Sequence, residues 1–167
     1  MNEMPVVFLA LPVLLAFACY GEIKARRISN YLTIPAILLG LGAAWITDGA
    51  SGLADSFYGL ALAGGVFLPF CLVGVVGGGD MKLIAAVGAI VGFPLVLRVL
   101  TATCVAGGLL AVGIMAWHGI LLSTLADAFR ILVGMQRRGK GLRNPPMVPY
   151  GLAIAAGTLY AVFFQTY

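Results

Sequence analysis

Apolar runs broken by short clusters of charge, glycine and proline divide the chain into six segments, approximately 4–21, 31–47, 57–76, 81–96, 99–122 and 148–166. A helix needs roughly 17–25 such residues to cross a bilayer. Only Gly92, Phe93, Pro94 and Arg98 separate the fourth segment from the fifth. Lipid offers the backbone no water, so a spanning segment must satisfy its own N–H and C=O groups as a helix. The pattern predicts an all-α, polytopic membrane protein with about six transmembrane helices. Small-residue stretches at 59–65 (GLALAGG) and 85–92 (AAVGAIVG) permit close approach of helix backbones. No internal repeat or second domain is visible, so residues 1–167 read as one domain.

Composition agrees. Hydrophobic residues are 62% of the 167 and charged residues 10%, whereas soluble domains carry about 25% charged residues. A chain this short cannot hide so much apolar surface in one core. The first twenty residues have no basic cluster ahead of their apolar run, so they read as a membrane helix and not as a cleaved signal. Cys19, Cys71 and Cys104 lie far apart in apolar runs. They read as small hydrophobes in helix packing, and neither a disulfide framework nor a metal site is expected. His118, beside Trp117 near the end of an apolar run, reads as a polar side chain at a membrane boundary.

Charge sets an orientation. With six spans, Lys24, Arg26, Arg27, Lys82, Arg130, Arg137, Arg138, Lys140 and Arg143 fall on one side, and Arg98 alone falls on the other. That asymmetry makes the basic side cytoplasmic and puts both termini outside. The net charge of +4 is then explained by topology and anionic lipid headgroups, with no nucleic-acid partner required. The longest basic stretch, RRGKGLRNPP at 137–146, reads as a flexible or partly helical connector.

The same topology sorts the acids. Glu3, Asp48 and Asp55 fall in outer loops, and Asp127 precedes Arg130 at an i,i+3 spacing suited to an ion pair on an interfacial helix. Glu22 and Asp80 remain, each ending an apolar segment on the cytoplasmic side. Two carboxylates that share a proton titrate apart, so one acts as base and the other as acid. Such a pair can activate water and protonate a departing amide nitrogen, which points to peptide hydrolysis. Gly77, Gly78 and Gly79, ahead of Asp80, leave room for an extended peptide against bare backbone. Two other readings stay open: a plain helix break with Asp80 capping the next helix, and a proton or ion path through Asp80.

The stretch Gly77-Gly78-Gly79-Asp80-Met81-Lys82-Leu83 matches the GxGDxKL pattern. It resembles the type IV prepilin peptidases, which are GxGD membrane aspartic proteases. The stretch EIKARRISN at 22–30 is similar to the family's first motif, an aspartate, a basic stretch and Ile-Pro-Asn. Pro149-Tyr150-Gly151-Leu152-Ala153-Ile154 resembles the PYGxAI signature that opens the last helix. Two positions depart from the pattern: Glu22 stands at the first aspartate and Ser29 at the proline. The length resembles the short form associated with tight-adherence (Flp) pili, and the absence of cysteine pairs gives no support for the methylation performed by longer members.

The resemblance implies an aspartic endopeptidase in the bacterial inner membrane. It would remove the basic leader of a prepilin at the cytoplasmic face and use no cofactor. Asp80 and Glu22 would be the catalytic pair. Gly77, Gly78, Gly79, Lys82, Pro149, Tyr150 and Gly151 would contact substrate, with Lys82 equally able to hold the Asp80 loop or to snorkel to headgroups. The alternatives are a homologue impaired by Glu22 that binds prepilin without cutting it, and a small membrane transporter.

Overall fold

The computed structural model describes residues 4–25, 29–72, 76–132 and 150–164. All regular structure among them is helical: α1 (Met4–Ala25), α2 (Asn30–Leu72), α3 (Gly78–Val91), α4 (Leu95–Trp117), α5 (Leu121–Leu132) and α6 (Tyr150–Phe163). Of these, α2 and α4 are long and apolar enough to cross a membrane.

The helices do not follow the six apolar segments one by one. The second and third segments form the two arms of α2, which changes direction at Gly49 (φ +62°, ψ −136°). That backbone conformation is open to glycine because it has no Cβ. Asp48 and Asp55, expected in a loop, therefore sit on helix close to the kink. The fifth segment is shorter than expected. Helix α4 stops at Trp117, Gly119 turns the chain with φ +67°, and α5 begins at Leu121.

The chain forms two compact units, one of Met1–Ala106 with Pro149–Tyr167 and one of Gly107–Val148. In the first, α3 is the hub, with residues 83–89 buried without interruption. A helix that is apolar all round belongs inside a bundle. Both arms of α2 lie against it. A Cβ on Gly40, in the first arm, would press on the backbone of Ala89 and Ile90, and one on Gly59, in the second, would overlap the backbone of Gly88. The Ser56 hydroxyl donates to the Ala89 carbonyl. Helix α1 adds Leu11, Leu14, Leu15 and Ala18 to this core, one face at helical spacing. Helix α6 adds Ile154, Ala161 and Val162.

In the second unit, α5 is unlike the other helices. Ser123, Thr124, Asp127 and Arg130 recur every three or four positions among leucines, the pattern of a helix lying in an interface. The Ser123 and Thr124 hydroxyls donate to the Ile120 carbonyl at 2.8 and 2.9 Å. His118 Nδ1 lies 2.9 Å from the Ile114 carbonyl oxygen at the exposed end of α4. The expected Asp127–Arg130 ion pair and the connector at 137–146 lie outside the described residues and side chains, as do Arg26 and Arg27.

Candidate active site

Asp80 is positioned by its own helix. Gly77 is extended (φ −69°, ψ 146°) and precedes the first turn of α3. It offers no side chain to cap the helix, and Asp80, three residues on, reaches back to the Gly77 backbone N–H. That is one half of a capping box. The glycine run is thus mostly helical, since Gly78 and Gly79 already belong to α3 and extended backbone is confined to Gly77. Gly77 and Gly78 are exposed and Gly79 is half-buried.

Glu22 is positioned by a helix distant in sequence. It lies in the last turn of α1, past the apolar run, and Gly151 at the start of α6 donates its N–H to Glu22 Oε1 at 3.3 Å. The Leu152 N–H also serves this carboxylate. The first amides of a helix have no partner within it, and the residue ahead of α6 is Pro149, whose side chain accepts nothing. A carboxylate from α1 therefore supplies the cap. Cys19, one turn earlier on α1, directs its thiol to the Gly151 carbonyl at 4.0 Å, so one face of α1 meets both ends of that residue. A Cβ on Gly151 would collide with the Glu22 carboxylate, whose atoms are its three nearest neighbours.

The two acids feel each other. Burial raises the Glu22 carboxyl above the ordinary range, and the amides of Gly151 and Leu152 draw it back. Burial, and then the charge on Glu22, push Asp80 up to about 6 against the pull of the Gly77 amide. Glu22 accepts from two backbone amides and Asp80 from one, and the charge on Glu22 adds to the burial of Asp80.

Lys82 reaches across to α2. Its ammonium donates to Asn30 Oδ1 at 2.9 Å and ties the start of α2 to the first turn of α3. Lys24 folds back along α1, with Nζ 3.3 Å from the Tyr20 hydroxyl and 5.5 Å from the ring centre. Tyr150 is partly buried against the core, and Pro149 lies outside the described residues. Glu22, Asn30, Asp80, Lys82 and Gly151 thus collect at the N-terminal end of α3. At its other end the Phe93 N–H donates to the Asp55 carbonyl at 3.0 Å, so Asp55 is a helix length from the pair. Between α1, the first arm of α2 and the end of α3 runs an apolar groove of about 490 Å³, from Tyr31 to Asp48 and Asp55.

Sequence reasoning missed two participants. Cys19 was hidden as an apolar residue, although it precedes Glu22 at i,i+3. Asn30 was visible in the first motif without a role. Gly151 was expected to meet substrate, and the structure adds a contact between its N–H and Glu22.

Two carboxyl groups, one acting electrostatically on the other, are each seated at a helix N-terminus in an apolar, all-helical bundle. A family model described as the type IV leader peptidase family matches residues 9–112, more than half of the chain. The protein belongs to that family of proteases, and both acids lie in the matched stretch. No curated protein and no solved structure matches it.

Proposed function

We propose that this chain is a prepilin leader peptidase of the aspartic type, acting on prepilins of the Flp class. In this reading it spans the bacterial inner membrane about six times as one peptidase domain, with both termini outside and the acids at the cytoplasmic surface. The observation that carries it is the placing of Glu22 and Asp80 close enough for the charge of one to act on the other, each acid oriented by helix amides. Family membership supplies the substrate class.

The chemistry follows from the unequal environments. Glu22, ionised, takes a proton from a water placed between the acids, and that water attacks the carbonyl carbon of the scissile peptide. Asp80, protonated, donates to the carbonyl oxygen as it becomes tetrahedral. On collapse, the proton held by Glu22 passes to the amide nitrogen and the C–N bond breaks. The hydroxyl proton of the intermediate returns to Asp80, so the pair ends in its starting state. The exposed, side-chain-free surface at Gly77 and Gly78 leaves room for an extended peptide. The groove beside Tyr31 suits the apolar helix that follows the cleavage point in a prepilin, because its small-residue walls allow close approach.

Co-expression with a prepilin tests the reading. A shortened pilin on a gel, lost with Asp80→Asn, is the expected result. Equal processing by Asp80→Asn, or a stable complex that is never cut, sinks it.

A further inference from the structure

Gly151 belongs to the last motif but touches the first one. Its N–H meets Glu22 Oε1 at 3.3 Å, its carbonyl faces the Cys19 thiol, and the space where a Cβ would stand is filled by the Glu22 carboxylate. The residue in front of α6 is a proline with no side-chain acceptor. The three atoms nearest the place of that missing side chain all belong to the Glu22 carboxyl group. A glycine kept only for helix packing would have backbone or apolar atoms in that space, as Gly59 and Gly88 have for each other.

We infer that Gly151 is the positioning residue for Glu22: its absent side chain forms the notch that seats the longer carboxylate, and its amide aims that carboxylate at the reacting water. The inference rests on the peptidase reading for its catalytic part and on geometry alone for its structural part. Glutamate reaches one methylene further than the aspartate it replaces, and the start of α6 receives that length. A methyl group at 151 would drive the carboxylate out of the notch by more than an ångström. Shifts of that size lower catalytic rates by about 100-fold. Alanine is otherwise the better helix former, so the helix itself does not suffer from the change.

The test uses the full chain in lipid nanodiscs with a prepilin substrate and compares the parent, Gly151→Ala, Glu22→Asp and the double variant. Gly151→Ala is expected to lose about 100-fold in cleavage rate. In the double variant the shorter acid withdraws from the new methyl group, so its rate should exceed that of Gly151→Ala by about tenfold, one decade of the two lost. A structural glycine gives no such rescue. A second readout needs no activity. Glu3 and Glu22 are the only glutamates, so ¹³C-carboxyl labelling yields two titrating signals, and the Glu22 signal should move to higher pH when the Gly151 donor is displaced.

Rates within twofold of the parent for Gly151→Ala, a double variant no faster than Gly151→Ala, or an unmoved Glu22 titration would overturn the inference. If the parent cleaves nothing and Asp80→Asn is indistinguishable from it, the peptidase reading fails, while the titration still decides the role of Gly151.

Discussion

Asp80 and Glu22, the proposed catalytic pair, are held in opposite ways. Asp80 is three residues from the amide it caps, and a short glycine-led turn fixes it. Glu22 is 129 residues from its donor, and its place exists only after α1 and α6 have packed. A local cap survives loosening of the bundle, while a long-range cap reports on it. The difference predicts that damage to global packing disables the base before the acid.

The largest effect expected is that of Asp80→Asn, which removes the transferable proton and keeps the shape. Leader removal should fall by ~10³–10⁴-fold, read from gel-shift rates, with membrane insertion and thermal midpoint close to the parent. Glu22 should separate chemistry from packing. Glu22→Gln retains an oxygen to accept from Gly151 and should lose ~10²–10³-fold in rate with little change in midpoint. Glu22→Ala should lose both, with destabilisation of about 1 kcal/mol for a lost cap, measured by thermal unfolding in detergent. Equal midpoints for the Gln and Ala variants would show that α6 does not depend on Glu22.

The pH dependence sharpens the same contrast. On the proposed mechanism Asp80 acts in its protonated form, and burial with the charge on Glu22 pushes its carboxyl up to about 6, so cleavage should fall about tenfold per pH unit above that value, the slope of a single lost proton. For stability, the fold holds the Asp80 proton more tightly than the unfolded chain does, from 3.8 up to about 6. The native state binds more protons across that window, so stability declines as pH rises through it and levels off beyond. Midpoints measured against pH should show this decline in the parent, and a smaller one in Asp80→Asn.

The smallest effect concerns the exposed tie between Lys82 and Asn30. Lys82→Ala should cost no more than about 1 kcal/mol, and Asn30→Ala should match it, with no further loss when both are made. Additive losses, measured by thermal unfolding of the two single variants and the double, would mean that Lys82 works elsewhere, for instance on substrate.

The sequence exposed the local half of this site and hid the distant half. Asp80, its glycines and the helix behind them are adjacent in the chain, so spacing alone announced them. Glu22 was found by its depth at a segment end, but its donor was not, because no spacing rule links a glutamate to an amide on the far side of the chain. The fold was legible to the same degree. Long apolar runs announced helices, but Asp48, Gly49 and Asp55 suggested a loop where one glycine dihedral suffices to redirect a continuous helix. Helix α5 was expected around Asp127 and Arg130 as an interfacial helix, but its start at Leu121, inside the fifth apolar segment, was not, because the turn at Gly119 leaves no break in hydropathy.

Helix α3 has 14 residues, a length of about 21 Å at the usual rise. A bilayer's hydrocarbon layer is about 30 Å thick, so α3 does not fill it. On the proposed topology Asp80, in the first turn of this short helix, and Glu22 near it meet a cytoplasmic membrane surface that is thinned or dimpled to reach them. A soluble peptide would have to leave water to reach such a place. A segment already embedded in the same leaflet arrives there by lateral diffusion, so the depth of the site itself selects membrane-anchored substrates.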